Sequence, residues 1–239
     1  MEPLKADVVV IGGGAAGSMC ALTAAQRGLS VVLLEPNKML GKKLRITGKG
    51  RCNVTNNCDI KTVLANIPGD GRFLYSALNR FEPRDTMALF ESLGVPLKTE
   101  RGNRVFPVSD RSQSVLDALE RFLRAYHVRI LPRKAAEIAV SDGRVTGVKT
   151  AEGPVPADCV ILATGGLSYP ATGSTGSGYA MAQALGHTII EPTGSLVPLV
   201  EKGHDCAKMQ GLALKNIAVK LVNTKGKTVY EDFGELLFT

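Results

Sequence analysis

The sequence of 239 residues contains no tryptophan, and aromatic residues make up only 5% of it. Long hydrophobic runs are also missing, because the longest reach four or five residues, whereas a membrane-spanning helix needs ~20. The first five residues carry an acid and a proline where a secretory signal has a basic stretch and an apolar core. We therefore expect no membrane contact and a cytoplasmic location.

Cysteine and histidine are scattered. The five cysteines show neither a C-x2-C pair nor any other metal-ligand spacing, and the three histidines are isolated. This pattern predicts reduced thiols, no disulfide framework and no metal site. The cysteines are Cys20, Cys52, Cys58, Cys159 and Cys206, and the histidines are His127, His187 and His204.

Glycine and positive charge are abundant. The 26 glycines are about 11% of the 239 residues, above the ~7% usual for globular chains. The net charge is +7. One segment, residues 37–51, supplies six basic side chains and no acid, with glycines between them. A basic, glycine-spaced backbone favours close approach to an anion over a merely solvated loop. The basic residues are Lys38, Lys42, Lys43, Arg45, Lys49 and Arg51.

The N-terminal residues read as a strand–helix–strand unit. Asp7–Ile11 and Ser30–Leu34 are short apolar runs that predict buried parallel strands, with a helix over Ala15–Arg27 between them. The dinucleotide-binding fingerprint, Gly12-x-Gly14-x-x-Gly17, lies at the start of this helix. We expect Gly12 to make the tight turn, Gly14 to admit a pyrophosphate, and Gly17 to pack the helix on the sheet.

An acidic residue follows the second strand at the expected distance. Glu35 lies 18 residues past Gly17 and is predicted to accept hydrogen bonds from ribose hydroxyls. The fingerprint by itself fits FAD and NAD equally. A second motif, Val160–Gly166, ends an apolar strand in small residues that would let the chain pass close to a dinucleotide.

The remaining pattern predicts an α/β domain over residues 1–190 and a β-rich domain from 191. Residues 36–57 show no period and read as a long loop, followed by a helical excursion over 58–126 and a β-meander over 135–150. Beyond residue 190 we expect strands and no helices. The predicted helices are 60–66, 71–80, 84–93, 113–126 and 178–185, and the predicted late strands are 195–201, 213–222 and 228–230.

The segment Gly41–Asn56, GKKLRITGKGRCNVTN, resembles the bacterial FAD-dependent oxidoreductases called HI0933-like or aminoacetone-oxidase-like. Arg104–Pro107 and Leu167–Tyr179 also resemble that family. The resemblance runs from about residue 6 to the end. It departs at Ser177, where family members commonly have Asp, and at the end of the chain, which lacks their closing glycine-rich segment. We therefore expect the N-terminal part of a longer protein.

The resemblance implies a glutathione-reductase-like Rossmann domain that holds FAD, with NAD(P)H as reductant and an organic acceptor, including conjugated C=C bonds. It names no catalytic residue. Reduction of uridine in ribosomal RNA is an alternative that the resemblance implies; the basic segment could bind RNA phosphates, but the FAD pyrophosphate is a nearer anion for the same residues. The missing end of the chain leaves a non-catalytic nucleotide-binding fragment as a further alternative. The candidate FAD-binding residues are Gly12, Gly14, Ala15, Ala16, Gly17, Glu35, Lys42, Lys43, Gly50, Arg51, Asn53, Ala135, Ala163, Thr164 and Gly165.

Overall fold

A computed structural model describes residues 5–195 and 197–239 of the chain. The chain divides into two compact units, one ending at Ile190 and the other comprising Glu191–Thr239. The first four residues of the predicted N-terminal domain and Leu196 of the predicted strand 195–201 lie outside the described residues. None of the helices described is long and apolar enough to cross a membrane.

A six-stranded sheet forms the centre of the first unit, in the order β6-β2-β1-β9-β8-β7. Its parallel part consists of β1 (Ala6–Ile11), β2 (Val31–Leu34), β6 (Arg129–Leu131) and the end of β9 (Val155–Leu162). Helix α1 (Ala15–Gln26) connects β1 to β2. The predicted strand–helix–strand unit is therefore present with its ends within one residue of expectation.

The antiparallel part of the sheet is a meander. Strands β7 (Ala135–Ser141) and β8 (Arg144–Thr150) are joined by Asp142-Gly143, whose φ angles of 50° and 72° suit a tight hairpin turn. The first residues of β9 pair antiparallel with β8, and its later residues pair parallel with β1. One strand thus links both halves, and the predicted α/β Rossmann-type fold is confirmed.

Alternate residues of the buried strands fill two cores. Val8, Val10 and Leu33 pack on the side of α1, and Val9 and Val32 pack on the side of the meander. Because strand side chains alternate between faces, a continuous apolar run is what a sheet covered on both sides requires.

Between β2 and β6 the chain makes a largely helical excursion. Its longest helix is α6 (Ser112–Ala125), in which Val115, Leu119 and Leu123 are buried, whereas Tyr126 just beyond the helix end is 41% exposed. Three short strands form an antiparallel sheet in the order β3-β5-β4. The elements are α3 (Ile60–Ala65), α4 (Tyr75–Arg80), α5 (Pro83–Ser92), α6 (Ser112–Ala125), β3 (Thr55–Asn56), β4 (Leu97–Glu100) and β5 (Arg104–Pro107).

The prediction of a loop over residues 36–57 is wrong in part. The segment contains helix α2 (Lys42–Gly50), which is interrupted where Gly48 and Lys49 both have a φ near +60°, and it ends in β3. The glycines hid the helix because they disfavour one. A Cβ at Gly48 would lie 2.6 Å from the Phe106 ring, so glycine is required by a contact that no local pattern reveals.

The second unit contains a two-stranded antiparallel ribbon. Strand β10 (Ala213–Val222) has the predicted bounds, whereas β11 (Thr228–Leu237) is seven residues longer than the predicted 228–230. Two expectations are wrong: the described residues of 195–201 form no strand, and a short helix, α8 (Asp205–Lys208), lies between that segment and the ribbon. The last helix of the first unit is α7 (Ser177–Ala184).

Candidate dinucleotide site

A cavity of about 520 Å³ opens at the carboxyl ends of β1, β2 and β9. Ligands of open α/β sheets bind at this edge of the sheet. Eleven of the fifteen residues predicted to bind FAD line the cavity. They are Gly12, Gly14, Ala15, Ala16, Glu35, Lys42, Lys43, Ala135, Ala163, Thr164 and Gly165.

The three fingerprint glycines lie in different surroundings. A Cβ at Gly12 would lie 2.5 Å from the carbonyl oxygen of Ala163, and a Cβ at Gly17 would overlap the carbonyl oxygen of Gly12. These two glycines are needed for packing within the protein. Gly14 differs, because a Cβ there would meet nothing within 4 Å. Gly14 therefore leaves open space on the cavity wall, which is the room that a close-approaching phosphate requires.

Helix α1 presents its amino terminus at the same place. Gly14 occupies the N-cap position, no side chain caps the helix, and its first turn contains no acid. The first N–H groups of a helix have no partner within the helix and carry a partial positive charge. The exposed backbone at Ala15 and Ala16 is thus suited to an anion.

Glu35 is buried and directly follows β2. Its Oε2 atom accepts a hydrogen bond of 2.8 Å from the backbone N–H of Gly13. Its Oε1 atom accepts two from Asn37, one from the backbone N–H at 2.8 Å and one from Nδ2 at 2.7 Å. Since each carboxylate oxygen has two lone pairs, Oε2 retains acceptor capacity on the cavity wall.

Two lysines of α2 bring positive charge to the cavity. Lys42 Nζ donates to the carbonyl oxygen of Ala171 at 2.6 Å, and Lys43 Nζ donates to that of Ser168 at 2.6 Å. Within the described residues neither ammonium group forms an ion pair with a carboxylate. Their charge therefore remains available to an anion in the cavity.

Arg51 does not line the cavity. Its Nη1 atom lies 2.8 Å from Glu100 Oε1 and 3.3 Å from Asp110 Oδ1, and its Cζ atom lies 4.0 Å from the centroid of the Phe106 ring. Lys98 Nζ, 2.6 Å from Asp110 Oδ2, completes the ion-pair cluster. The cluster holds the segment after α2 against β4 and β5.

The cluster shifts the titration of its members. The hydrogen bond from Arg51 lowers the pKa of Glu100, and the hydrogen bond from Lys98 lowers the pKa of Asp110. The same contacts raise the pKa of Arg51 and of Lys98. All four groups stay charged at neutral pH, so Arg51 is engaged within the protein.

Three other predicted residues also lie off the cavity wall. Gly17 packs beneath the turn, and Gly50, with a φ of 88°, follows the interruption of α2. The Asn53 amide, oriented so that its nitrogen donates, reaches the carbonyl oxygens of Thr55 at 3.0 Å and Val105 at 3.3 Å. In this part of the chain Lys42, Lys43, Leu44 and Thr47 line the cavity, whereas Gly50, Arg51 and Asn53 do not.

The cavity also contains residues that the sequence analysis missed. Asn37 orients Glu35, Lys134 precedes Ala135 at the wall, and Ser174 is buried there. Asn37 lies only two residues after Glu35, so its contact with the carboxylate is local in the chain. Tyr169 does not line the cavity and is 67% exposed.

A second cavity of about 280 Å³ adjoins the first and shares Ala15, Ala16 and Leu44 with it. No charged residue lines it, and most of its wall is aliphatic or aromatic. The buried Cys52 forms part of the wall, and desolvation raises the pKa of its thiol. All five cysteines are free of disulfides. Across residues 5–195 and 197–239, no group of three His, Cys, Asp or Glu is placed to hold a metal ion.

Comparisons with a family model and with curated proteins both identify relatives that cover nearly the whole chain. The profile of the HI0933-like protein Rossmann domain matches residues 6–237. The 3-dehydro-bile acid delta(4,6)-reductase of Clostridium scindens is 36% identical over 233 residues, covering 96% of this chain and 56% of the relative. The ribosomal RNA dihydrouridine synthase of Haemophilus influenzae is 30% identical over 239 residues, covering 97% and 57%.

Solved structures share the fold. The 3-ketosteroid-delta4-(5alpha)-dehydrogenase of Rhodococcus jostii aligns with a TM-score of 0.60 at 19% identity, covering 76% of this chain and 54% of that one. L-proline dehydrogenase of P. horikoshii aligns with a TM-score of 0.53 at 14% identity, covering 80% and 58%. The chain spans a little over half the length of the curated relatives it matches.

Proposed function

The chain belongs to the HI0933-like family, and from that premise we propose that it is the dinucleotide-binding part of an FAD-dependent oxidoreductase. Residues 1–190 are the FAD-binding domain, and residues 191–239 begin a β-rich inserted domain. The observation that carries the proposal is the cavity whose wall combines Gly14, the uncapped start of α1, and a buried acid, Glu35.

These residues fit the chemistry of FAD. A Cβ at Gly14 would occupy the open space beside the helix terminus, where the pyrophosphate would bind. Lys42 and Lys43 would add charge-assisted hydrogen bonds to its oxygens by giving up backbone carbonyls. Glu35, held by Gly13 and Asn37, would accept from the adenosine ribose and would repel a 2′-phosphate. Ala135 would lie against the adenine.

We propose that the reaction is reduction of a conjugated C=C bond in a small organic molecule, as the name of the 36%-identical relative suggests. The FAD that these residues would hold would supply the hydride-transfer chemistry, with NAD(P)H as the source of the hydride for one carbon and water as the source of the proton for the other. The chain's own residues bind and orient the dinucleotide through the α1 terminus, the two lysines and Glu35.

Reduction of uridine in ribosomal RNA is the second candidate, favoured by the 30%-identical relative. The basic segment was its main support in the sequence. Lys42 and Lys43 line the cavity, and Arg51 is bound to two carboxylates. Three of the six basic residues in segment 37–51 therefore line the cavity or pair with carboxylates, and they are not part of an RNA-binding surface. This supports the small-molecule reaction.

The test is spectroscopic and then kinetic. The purified chain is mixed with FAD, and we expect retained absorbance near ~450 nm after gel filtration. NAD(P)H oxidation is then followed with 4-androstene-3,17-dione or a uridine-containing ribosomal RNA fragment as acceptor. Retained flavin and steroid reduction would support the proposal, and reduction of the RNA fragment alone would favour the second candidate. A protein that retains no flavin would contradict both.

A further inference from the structure

A second helix begins at the wall of the dinucleotide cavity. Ser177, the first residue of α7, lines the cavity together with Ser174 and Thr175, which precede the helix. Gly176 occupies the N-cap position, no described side chain caps the helix, and its first turn contains no acid. The start of α7 therefore carries the same partial positive charge as the start of α1.

Two backbone N–H groups at the start of α7 have no acceptor within the protein. Those of Ser177 and Gly178 donate to no oxygen of residues 5–195 and 197–239. Gly178 is buried, and a buried N–H without a partner costs about as much free energy as a lost hydrogen bond. These two groups are thus suited to an oxygen atom of a ligand in the cavity.

Ser174 adds a hydroxyl group at the same place. The residue is only 7% exposed, yet among the described residues its Oγ atom has no hydrogen-bond partner. A Cβ at Gly165 would lie 2.7 Å from this Oγ atom, and both residues line the cavity. No fully buried side-chain oxygen or nitrogen of the described residues lacks a partner. The Ser174 hydroxyl is therefore open to the cavity, where it can donate to a ligand.

The starts of α1 and α7 contact the same short stretch of backbone at the end of β9. A Cβ at Gly12, in the turn before α1, would lie 2.5 Å from the carbonyl oxygen of Ala163. A Cβ at Gly178 would overlap Thr164 Oγ1, in the next residue along. Because both helix starts also line one cavity, they can bind neighbouring groups of one ligand.

The charge of the cavity wall suits a ligand that carries more than one negative charge. The described lining residues include three lysines but only one carboxylate, that of Glu35. A single phosphate at the start of α1 would leave the donors at α7 without an acceptor. A diphosphate supplies two adjacent anionic groups, one for each helix start. The lysines are Lys42, Lys43 and Lys134.

We propose that Ser174 and the start of α7 bind one phosphate of the dinucleotide's diphosphate group, while the start of α1 binds the other. The donors are the Ser174 hydroxyl and the backbone N–H groups of Ser177 and Gly178. The inference rests on the proposed function, to which it adds a second phosphate subsite.

Titration calorimetry with ADP and with adenosine tests the subsite without any turnover. The two probes share a base and a ribose, so the ratio of their affinities measures the contribution of the diphosphate. We expect ADP to bind at least a hundredfold more tightly than adenosine, because charge-assisted hydrogen bonds are strong. Flavin retention is measured on the same samples. A chain that binds neither ADP nor flavin contradicts the proposed function itself.

Ser177→Asp places a carboxylate at the subsite, and Ser177→Asn is the matched neutral control. The ratio of ADP to adenosine affinity should be at least tenfold lower for the Asp variant than for the Asn variant. Its thermal midpoint should not fall, because an acid in the first turn stabilises a helix. Weaker ADP binding by an equally stable chain therefore reports repulsion of the phosphate and not misfolding.

Ser174→Ala removes a donor without adding charge. The affinity ratio should fall at least threefold, whereas Ser92→Ala on the exposed surface of α5 should match the parent. A chain that retains flavin and prefers ADP, but whose ratio is unchanged by Ser177→Asp and by Ser174→Ala, overturns the inference alone. Equal losses of ADP and adenosine affinity in Ser174→Ala would place the hydroxyl at the nucleoside and would also overturn it.

Discussion

The Oε2 atom of Glu35 lies 2.8 Å from the backbone nitrogen of Gly13, which donates a hydrogen bond to it. This contact joins the end of β2 to the glycine-rich turn between β1 and α1, 22 residues earlier in the chain. The carboxylate thus has a structural role in the turn as well as the proposed role toward ribose. Replacing it should affect both.

Glu35→Ala should weaken FAD binding by about 1–3 kcal/mol, because ribose hydroxyls and the Gly13 N–H lose their acceptor. Flavin titration followed by fluorescence measures the effect. Glu91→Ala, on the exposed surface of α5, is the matched control and should bind flavin as the parent does. Equal affinities for the two variants would show that Glu35 does not contact the ribose.

Substitutions at two fingerprint glycines should have different effects, one on flavin binding and the other on the stability of the chain. In Gly14→Ala the new methyl group enters open space at the cavity wall, so we expect weaker flavin binding with little change in the thermal midpoint. In Gly17→Ala the methyl group overlaps the Gly12 carbonyl, so the free energy of unfolding should fall by about 1–3 kcal/mol. Calorimetry and flavin titration on both variants measure the two effects. The reverse assignment would contradict the placement of the turn.

Lys43→Met should weaken FAD binding by about 1.5–3 kcal/mol, the usual contribution of a hydrogen bond to a charged group. The loss should shrink as salt is added, because salt screens the charge. Titrations at low and high salt measure it. Lys61→Met on α3 lines neither cavity and serves as the control. If both variants bind flavin equally well, Lys43 is only a contact of Ser168.

The Arg51 cluster predicts a pH dependence of stability. Glu100 and Asp110 have a lowered pKa in the folded chain, so their contribution is present above the ordinary carboxyl range of ~4 and is lost as the pH falls through their folded values. Thermal midpoints are compared between about pH 7 and pH 2 for the parent and a Glu100→Gln/Asp110→Asn variant. The parent should be more stable at pH 7, and the difference should shrink on acidification. A constant difference would mean that the ion pairs contribute nothing.

The site residues that could be predicted from the sequence are those whose roles depend on nearby positions in the chain. Gly12, Gly14 and Gly17 have mechanical roles within one turn, and Glu35 follows a strand that its own Val-Val-Leu-Leu composition identifies. Each could be assigned from neighbours within about 20 residues. The resemblance to a family added Lys42 and Lys43 to the predicted site, and both line the cavity.

The parts that the sequence concealed depend on distant partners. Gly48, at the interruption of α2, has no room for a Cβ beside the Phe106 ring. Arg51 hydrogen-bonds to Glu100 and Asp110, which are 49 and 59 residues away. No periodicity within residues 36–57 encodes those contacts. The adjoining apolar cavity is hidden for the same reason, since its wall joins the first turn of α1 to residues as distant as Leu119.

The pairing of β1 with β9 brings together residues such as Val9 and Val160, which are far apart in the chain. During synthesis at ~5–20 residues per second, roughly 8–30 seconds separate the appearance of the glycine-rich turn from that of Ala163. Until then β1 has no neighbour on that side, and the Gly12 turn lacks the backbone against which it packs. We therefore expect a nascent chain to retain a dinucleotide poorly until β9 has emerged from the ribosome, and until then the unpaired edge of β1 is exposed to aggregation.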